Sequence, residues 1–376
     1  MRTQVGIVGA GPAGLTLARM LELAGVESVV LESRTRDYCE HRIRAGVLEQ
    51  RTADLLRELG VGERMEREGI VHHGIHLQFD GERHRVPLSE LADGRTIVIY
   101  GQTEVVKDLI ATRLDGGLPL HFECPVESVD PERGIVRYAG GELECDVIAG
   151  CDGFHGVCRS SIPDGILRRF EREYPFGWLG ILAQVAPSMD ELVYAHHERG
   201  FALLSLRSPH LSRCYIQVAH DEDIAEWPDE RIWEELQRRT ALEGWTLREG
   251  PVLEKGVTGM RSFVAEPMQY RKLFLAGDAA HIVPPTGAKG LNLAIADVRV
   301  LAEAIVGGSL ERYSEECVRR VWRAEHFSYW MTTMLHRLPG EDPFDLQLQL
   351  SQLRYATTSQ AAARSLAENY VGLDLV

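Results

Sequence analysis

The chain of 376 residues is longer than a single hydrophobic core normally supports, so two or more lobes are expected. Its composition, 44% hydrophobic and 26% charged, is ordinary for a globular protein, and no apolar run approaches the roughly 18 residues of a membrane span. The net charge of −15 disfavours a nucleic-acid partner, because such a partner requires a basic face.

The seven cysteines are odd in number and form no C-x-x-C pair. A disulfide scaffold, a zinc site and a dithiol redox centre are therefore disfavoured, and no bound metal is expected. The first residues, MRTQVGIVGAG, lead directly into a predicted strand and lack the regions of a signal peptide. These features favour a cytoplasmic protein without a membrane partner.

The first predicted elements are a strand, a glycine-rich turn and a helix in TQVGIVGAGPAGLTLARMLELAGVESVVLES. Gly9, Gly11 and Gly14 have the spacing G-x-G-x-x-G, and the next strand, SVVLE, ends at Glu32. Such a turn lets a pyrophosphate approach the helix N-terminus, while the acid accepts a hydrogen bond from a ribose hydroxyl. The pattern predicts a dinucleotide site but does not separate NAD from FAD.

Four short apolar runs between residues 178 and 220 predict an antiparallel sheet: WLGILAQVA, ELVYAHH, FALLSLRS and CYIQVAH. In FALLSLRS the strand period of two places Leu203, Ser205 and Arg207 on one face, and Leu192 and Tyr194 share a face in the same manner. An apolar residue, a hydroxyl and a guanidinium on one surface suit an aromatic carboxylate. A half-exposed strand with an outward arginine would have the same pattern.

Two strand ends followed by glycine turns favour FAD over NAD. The first leads to Asp152-Gly153, and the second, in KLFLAGDAAH, leads to Gly277-Asp278. FAD is the longer cofactor and needs a further acceptor for its ribityl hydroxyls, which an aspartate at the carboxyl end of a strand can supply. Asp278 could instead cap the following turn.

Beyond Asp278, PPTGAKG predicts a rigid turn that leads into an apolar helix ending at Gly307-Gly308. The apolar positions of this helix are Leu291, Ala294, Ile295, Val298, Leu301 and Ile305. Its first amides, at 290–292, would point at the flavin ring, because a helix N-terminus stabilises the negative charge of a reduced flavin. Residues 309–338 predict a further helix, for which core packing and a subunit interface both remain open.

Eight segments together resemble the para-hydroxybenzoate hydroxylase family, a group of the class A flavoprotein aromatic hydroxylases: GAGPAG, RIRAGVLEQ, YGQTEV, AGCDGFHG, YPFGWLG, RGFALLSLRS, GDAAHIVPPTGAKGLNLA and AENYVGL. The resemblance runs from Met1 to Leu373. It implies an α/β fold with an FAD-binding Rossmann-like domain of the GR2 type, an antiparallel β-sheet substrate domain and a C-terminal helical region. The implied bounds are 1–174 for the first part of the FAD domain, with a strand insertion near 73–100, then 175–265 for the substrate sheet, 266–297 for the second part of the FAD domain, and 298–376 for the helical or interface region.

The resemblance also implies the reaction. NAD(P)H reduces FAD, oxygen adds to flavin C4a, and the hydroperoxide hydroxylates a phenolic acid ortho to its hydroxyl. Matching pocket residues favour 4-hydroxybenzoate as substrate and 3,4-dihydroxybenzoate as product: Val47, Trp178, Leu192, Leu203 and Thr286. A ring-substituted substrate such as 3-amino-4-hydroxybenzoate shares every motif and stays open. The family also implies a homodimer.

Carried over position by position, the flavin contacts are Gly9, Gly11, Gly14, Glu32, Arg42, Arg44, Gln102, Asp278, Leu291 and Asn292. Ser205, Arg207 and Tyr215 would bind the substrate carboxylate, and Leu204 and Cys214 would face away from it. Tyr194 would bond the phenol and Tyr370 would bond Tyr194; His72 would pass the proton to solvent, the Pro285 carbonyl would face the substrate hydroxyl, and Arg213 would help control movement of the flavin ring. Such a relay is chemically useful, because a phenol titrates near 10 whereas histidine titrates near 6.5.

No second G-x-G-x-x-G motif is present, so the nicotinamide cofactor is expected to dock transiently, at His155, Arg261 and Tyr38 together with Arg42 and Arg44. Position 33 is serine where NADPH-preferring members carry arginine, so the choice between NADH and NADPH stays open. A disulfide reductase would need a cysteine pair that this sequence lacks. A non-catalytic nucleotide-binding scaffold would have no need for the substrate residues together.

Overall fold

The computed structural model describes residues 1–42 and 46–372. This part of the chain forms nineteen β-strands, which run in chain order as follows: β1 (Arg2–Val8), β2 (Ser28–Leu31), β3 (Val47–Glu49), β4 (Ile70–His72), β5 (Ile75–Phe79), β6 (Glu82–Val86), β7 (Ile97–Ile99), β8 (Leu120–His121), β9 (Val126–Asp130), β10 (Ile135–Tyr138), β11 (Gly141–Gly150), β12 (Arg168–Ala183), β13 (Val193–Ala195), β14 (Ala202–Ser208), β15 (Leu211–Ala219), β16 (Val252–Glu266), β17 (Gln269–Tyr270), β18 (Leu273–Leu275) and β19 (His281–Ile282).

The same residues form eleven α-helices: α1 (Pro12–Leu23), α2 (Arg36–His41), α3 (Gln50–Glu58), α4 (Glu63–Glu68), α5 (Leu88–Leu91), α6 (Gln102–Asp115), α7 (Asp229–Arg239), α8 (Gly290–Gly307), α9 (Tyr313–Leu335), α10 (Pro343–Thr358) and α11 (Gln360–Val371). Short 3-10 helices occur at Arg159–Ser161, Ile224–Glu226, Gly277–Ala279, Pro285–Gly287 and Leu310–Arg312. Among the described helices, none has the length and apolar content that a bilayer crossing requires.

The first sheet carries the glycine-rich turn. Its order is β17-β18-β11-β1-β2-β8, and the five strands from β18 to β8 are parallel. Strands buried on both faces are expected to be continuously apolar, and β2 and β18 are buried at every position. Helices α1 and α8 meet beside this sheet, next to Gly277. A Cβ at Gly277 would lie 3.1 Å from Cβ of Ala294 on α8 and 3.6 Å from Cβ of Ala13 on α1.

The second sheet has the order β19-β16-β12-β15-β14-β13-β5-β6. All neighbouring strands in it are antiparallel except β13 and β5, which are parallel. One face packs on α7, and the other packs on the C-terminal helices α9, α10 and α11. A third, three-stranded sheet, β3-β7-β4, lies in the segment between α2 and α6.

The α/β fold with two large sheets and a helical C-terminal region is confirmed. Strand membership differs from the expected division in two places: β5 and β6, which were expected as an insertion in the FAD domain, extend the second sheet, and so does β19. In addition, β12 begins at Arg168, before the expected start of the substrate sheet at 175. These pairings are formed by residues far apart in sequence, so no local pattern indicates them.

Helix α8 ends as the sequence predicts. It runs to Gly307, and Gly308 follows in the left-handed conformation with φ 68°. Glycine occupies this conformation without the steric cost that other residues bear, which makes it a common residue after the end of a helix.

Candidate active site

The turn between β1 and α1 requires glycine at two positions. Gly9 has φ +104°, and a Cβ there would lie 2.3 Å from the carbonyl oxygen of Cys151. A Cβ at Gly14 would lie 2.1 Å from the carbonyl oxygen of Gly9. Apart from its chain neighbours, no described residue has an atom within 4 Å of the position that a Cβ on Gly11 would occupy, so the described structure leaves this side of the turn open.

Helix α1 begins beside this opening, and no side chain in the described part of the chain caps it. The first amides of a helix have no partner within the helix and carry its positive dipole end, so they suit a pyrophosphate. The carboxylate of Glu32, at the end of β2, is buried and is held by the backbone N–H groups of Ala10 at 2.7 Å and Arg34 at 2.8 Å. These residues fit the diphosphate and a ribose hydroxyl of FAD.

The second cofactor turn follows β18. Asp278 is exposed there and is free to accept from a hydroxyl, as the ribityl chain of FAD would require. Behind it, the N–H of Gly277 donates to Asp297 Oδ2 at 3.1 Å, and His281 Nε2 lies 2.6 Å from the same oxygen. The turn is therefore fixed by a fully buried pair on its inner side.

The surroundings of this pair determine the pKa of His281. Burial by itself would lower the pKa of His281, but the carboxylate of Asp297 beside it raises the pKa above the usual value. The pair was not found from the sequence. The available signal was Asp297, a carboxylate within the apolar run of α8.

Helix α8 begins beside a space that the described residues leave open: apart from its chain neighbours and the backbone of the helix itself, none of them has an atom within 4 Å of a Cβ built on Gly290. The side chain of Asn292 is already committed: it accepts from the N–H of Glu49 and donates to the carbonyl of Val47, both at 2.9 Å. Its backbone amide, and that of Leu291, therefore remain the groups that suit the ring of a flavin.

The other expected flavin contacts lie near the start of α6. Gln102 is the first residue of that helix and is half-buried. Arg42 is exposed just after α2, and its carbonyl accepts from Oγ1 of Thr103 at 2.9 Å. Arg44 lies outside the described residues.

Strands β13, β14 and β15 of the second sheet bring the expected substrate residues side by side. Tyr194 pairs with Leu203, Leu203 pairs with Tyr215, and Ser205 pairs with Arg213 across β13, β14 and β15. Leu204 and Cys214 belong instead to the cluster that packs on α7, so they point to the opposite face. The alternation of the strands thus separates a site face from a core face.

Two guanidinium groups lie on the site face. Burial lowers the pKa of Arg207, Tyr215 opposes this, and the positive charge of Arg213 lowers it further. The Arg207 guanidinium reaches the backbone at the start of α6, because a Cβ on Gly101 would lie 2.6 Å from it. Nη1 of Arg213 is buried and has no hydrogen-bond partner among the described residues. An anion on this face would compensate both charges.

The tyrosine pair is formed as expected. Tyr194 on β13 and Tyr370 on α11 are both buried, and their hydroxyl groups share a short hydrogen bond. Burial raises the pKa of Tyr194, which the hydrogen bond with Tyr370 opposes, and burial raises the pKa of Tyr370 as well. Both phenols are therefore neutral at neutral pH. One hydroxyl proton is used in the hydrogen bond between them, and the other is left to be donated to a ligand.

The placement of His72 differs from the expected link to solvent. It is fully buried on β4, and neither ring nitrogen has a hydrogen-bond partner among the described residues. Burial lowers the pKa of His72 to about 4, so the imidazole is neutral rather than poised near 6.5. A direct hydrogen bond between His72 and the tyrosine pair is absent from the described part of the chain.

Pro285 starts a 3-10 turn and is exposed. Its carbonyl accepts from the N–H of Ala288 at 2.9 Å, so one of its two lone pairs is used within the turn and the other is left for a hydroxyl. The neighbouring Thr286 is fully buried, and its hydroxyl accepts from Thr332 on α9 at 2.9 Å. The turn is thereby anchored to the C-terminal helices.

A histidine that the sequence did not reveal supports the aromatic wall. His336 Nε2 accepts from the indole N–H of Trp178 at 2.7 Å, and its Nδ1 lies 2.9 Å from the Thr332 carbonyl. Burial lowers the pKa of His336 to about 3, so the ring stays neutral and can accept. The ring of Trp178 lies 4.9 Å from that of Tyr215.

The residues expected at the nicotinamide occupy two places. Arg261 lies 4.7 Å from the ring centroid of Phe154, whose ring meets that of the exposed His155 at 5.0 Å. Tyr38 is exposed on α2, with the guanidinium of Arg34 5.3 Å from its ring.

Comparisons with known proteins agree with this geometry. A family model described as an FAD binding domain matches residues 2–328. The p-hydroxybenzoate hydroxylase of Acinetobacter baylyi is 48% identical over 390 residues, covering 99% of this chain and 96% of that protein. A 3-amino-4-hydroxybenzoate 2-monooxygenase of Streptomyces platensis is 26% identical and covers 85% of each chain.

Solved structures share the fold. The p-nitrophenol 4-monooxygenase of Pseudomonas putida has a TM-score of 0.83 at 20% identity, with both chains covered completely. Aklavinone-11 hydroxylase in complex with FAD and aklavinone has a TM-score of 0.71 at 22% identity, covering 89% of this chain and 69% of that one. With the family match and the relative at 48% identity, the chain belongs to the FAD-dependent aromatic hydroxylases, in the family of p-hydroxybenzoate hydroxylase.

Proposed function

We propose that this monooxygenase hydroxylates 4-hydroxybenzoate ortho to its hydroxyl and releases 3,4-dihydroxybenzoate, with O2 as co-substrate and NAD(P)H as electron donor. The observation that carries the proposal is the buried hydrogen bond between Tyr194 and Tyr370, on the same sheet face as Arg207. The relative at 48% identity, a p-hydroxybenzoate hydroxylase, supports the same substrate.

The carboxylate end of the substrate is assigned to the half-buried Arg207, Ser205 and Tyr215. Arg207 offers two parallel N–H donors, and hydroxyl groups can complete the coordination of a carboxylate. Among the described residues, the hydroxyl of Ser205 makes only a long 3.5 Å contact with the Leu206 carbonyl, so it can turn to a ligand. The negative charge of the bound carboxylate also offsets the repulsion between the positive charges of Arg207 and Arg213.

The hydroxyl end is assigned to the tyrosine pair and to the Pro285 carbonyl. The Tyr194 hydroxyl would donate to the substrate oxygen once that oxygen is ionised, while Tyr370 donates to Tyr194. Before ionisation, the Pro285 carbonyl can accept from the substrate hydroxyl. An ionised hydroxyarene is the better nucleophile at its ortho carbon, so these contacts would favour the reactive form.

FAD, when bound, supplies the electron transfer and oxygen activation that protein side chains cannot provide. The residues that would hold it are Gly9, Gly11, Gly14, Glu32, Gln102, Asp278 and the amides of Leu291 and Asn292, and we extend this set to Arg42 and Arg44. Arg213, whose Nη1 lies buried without a partner in the described residues, is proposed to guide the ring position.

For the nicotinamide cofactor we propose transient docking at His155 and Arg261, with Tyr38 and its neighbouring arginines available to the adenosine end. Arg261 pairs with Glu171 at 3.5 Å and with Glu173 at 3.2 Å, and these exposed pairs can exchange for a phosphate at small cost. The choice between NADH and NADPH is decided by supplying each nucleotide in turn in the product analysis described below.

His72 is proposed to receive the proton through intervening water, because it has no direct partner among the described residues. A neutral imidazole can accept a proton at one nitrogen and release it from the other. Its lowered pKa means that any imidazolium it forms is short-lived at neutral pH.

We further propose a homodimer that functions in the cytoplasm. The aromatic side chains of Trp322 and Tyr329 are exposed on α9, next to Phe170, and an apolar surface of this kind suits a partner subunit. All seven cysteines are unpaired thiols, as is usual in a reducing compartment. We also retain the division into an FAD lobe, a substrate sheet and a helical C-terminal lobe as functional units.

Product analysis tests the proposal. Holoenzyme is supplied with NADH or NADPH and either 4-hydroxybenzoate or 3-amino-4-hydroxybenzoate, and hydroxylated product, peroxide and NAD(P)H consumption are measured together. The expected result is one 3,4-dihydroxybenzoate per NAD(P)H from the unsubstituted acid. Coupled turnover with the amino-substituted acid alone would contradict it.

A further inference from the structure

The backbone of Gly101, just before α6, lies directly against the guanidinium of Arg207. A Cβ built on Gly101 would be 2.6 Å from each of three Arg207 atoms, namely Cζ, Nη1 and Nη2. Carbon atoms in ordinary contact are about 3.5–4.0 Å apart, so a side chain at this position collides with the guanidinium. Gly101 therefore forms part of the wall behind the proposed carboxylate site, although it carries no functional group.

The three equal distances define how the guanidinium is oriented. A Cβ in the guanidinium plane, beyond its outer edge, would lie closer to the two Nη atoms than to Cζ. Equal distances instead place the Cβ over the flat face of the group. The Nη donors lie in the guanidinium plane, so they point sideways from this contact, in the direction along which a carboxylate is bound by two parallel hydrogen bonds.

The backbone conformation of Gly101 does not itself require glycine. Its dihedral angles are φ −57° and ψ 135°, within the usual scatter of polyproline II, which residues with side chains also adopt. The contact with Arg207, rather than the backbone conformation, is therefore what a side chain at position 101 would disturb.

Gly101 has no room to move away from Arg207. On its other side, a Cβ on Gly46 would lie 2.4 Å from Cα of Gly101 and 2.2 Å from the carbonyl oxygen of Tyr100, so these backbones are in close contact. The N–H of Tyr100 donates to the Gly46 carbonyl at 3.0 Å, and the Gly101 carbonyl accepts from the N–H of Glu104 at 2.8 Å. The guanidinium ends a flexible side chain, so atoms added at position 101 would displace Arg207 rather than the backbone.

We propose that Gly101 is a positioning residue for the substrate carboxylate, because its lack of a side chain lets the guanidinium of Arg207 lie flat on the backbone with its edge donors facing the ligand. The inference rests on the proposed function, in which Arg207 binds the carboxylate of 4-hydroxybenzoate. Gly101 acts only through Arg207, so its effect depends on the presence of that guanidinium.

Gly101→Ala tests the inference. The added methyl must push the guanidinium away by about 1 Å, which misaligns at least one hydrogen bond to the carboxylate. Because a hydrogen bond to a charged group corresponds to about a tenfold or larger change in affinity, the dissociation constant of 4-hydroxybenzoate should rise about tenfold. Titration of the flavin absorbance of the holoenzyme measures this constant. The change should appear in KM more than in kcat, as expected when ground-state binding is lost.

A double-mutant cycle separates this role from a general loss of structure. In the Arg207→Ala background there is no guanidinium to displace, so the further change Gly101→Ala should alter the dissociation constant by less than about twofold. Alanine is a weaker N-cap than glycine, so some loss of helix stability is expected in both backgrounds and cancels in the cycle.

Gly116→Ala is the matched control at the opposite end of α6. Gly116 is the C-cap of that helix, with φ −72° and ψ −4°. Among the described residues other than its chain neighbours, the nearest atom to a Cβ on Gly116 is the carbonyl oxygen of Thr112 at 3.4 Å. The dissociation constant and the flavin content of this variant should both equal those of the wild type.

Three results would overturn the inference: an unaltered dissociation constant in Gly101→Ala, an equal loss of affinity from Gly101→Ala with and without the Arg207 guanidinium, or loss of FAD from the Gly101→Ala holoenzyme. The last would assign Gly101 to the flavin contact at the neighbouring Gln102. Failure of the proposed function has a different pattern, in which 4-hydroxybenzoate leaves the flavin absorbance of the wild type unchanged or Arg207→Ala leaves its affinity unaltered, and the inference then falls with it.

Discussion

The hydroxyl groups of Tyr194 and Tyr370 are hydrogen-bonded to each other although the two residues are 176 positions apart. One lies on a strand of the large sheet and the other on the last described helix, so the contact exists only when the helical C-terminal region packs on the sheet. This packing gives the substrate hydroxyl a donor that is itself supported by a second donor.

Tyr194→Phe removes the hydroxyl that meets the substrate and should uncouple the reaction. Flavin reduction by NAD(P)H should persist, while the yield of hydroxylated product falls about 100-fold or more, because a positioned proton-transfer group commonly contributes about 10²–10⁴-fold. Hydrogen peroxide should account for the missing product. Tyr355→Phe, at an exposed tyrosine of α10, is the control. Equal coupling in Tyr194→Phe and wild type would exclude the relay.

Arg207→Ala removes the principal cation of the carboxylate site. Because breaking a buried ion pair costs about 3–5 kcal/mol, the dissociation constant of 4-hydroxybenzoate should rise by about 100-fold or more. Equilibrium titration of the flavin absorbance measures this constant. Arg238→Ala, in an exposed pair with Glu234, should leave it unchanged. A wild-type constant in Arg207→Ala would place the carboxylate elsewhere.

His336→Phe keeps an aromatic ring beside Trp178 but removes the acceptor of its indole N–H. A buried donor left unpaired costs about 1–3 kcal/mol, so the free energy of unfolding should fall by that amount and substrate affinity should fall several-fold. The two quantities are measured by denaturant unfolding and by titration. In His336→Gln the side-chain carbonyl can accept, and partial recovery of both is expected. Identical losses in both variants would mean that ring packing alone matters.

Glu325 on α9 gives a prediction about pH. Burial raises the pKa of its carboxyl from 4.5 to about 7, and the hydrogen bond from Ser262 and the charge of His281 only partly oppose this. The folded state therefore favours the protonated form, so its contribution to stability is complete below pH 4.5 and is lost as the pH rises through about 7.

Glu325→Gln should remove this loss. The variant should be more stable than wild type at pH 8, by about 2–3 kcal/mol, and its stability should vary less between pH 4.5 and pH 8. Chemical unfolding of the holoenzyme across this range measures the difference. Glu315→Gln controls for the loss of an exposed carboxylate on the same helix. Parallel stability curves for wild type and Glu325→Gln would contradict the assignment.

Local patterns were sufficient for the cofactor turns and for the strand that carries Arg207. The spacing of Gly9, Gly11 and Gly14 predicts the first turn, and strand alternation separates Ser205 from Leu204. In each case the signal lies within a few residues, and the geometry of one strand or one turn determines the outcome.

Long-range contacts were beyond such patterns. The pairing of His281 with Asp297 and that of His336 with Trp178 depend on which helices meet which strands. His72 was expected to lead to solvent, and only the three-dimensional packing reveals that it is buried at 0% exposure. The contact between Tyr194 and Tyr370 was predicted from the family resemblance, since no periodicity connects the two segments.

The most direct measurement concerns the ionisation of the bound substrate. The ultraviolet difference spectrum of 4-hydroxybenzoate on the holoenzyme is recorded against pH for wild type and Tyr194→Phe, with ligand-free enzyme subtracted. If the tyrosine pair stabilises the ionised hydroxyl, the phenolate band should develop at lower pH on the wild-type enzyme than in free solution, and this shift should disappear in Tyr194→Phe. Identical titrations for bound and free substrate would contradict the account.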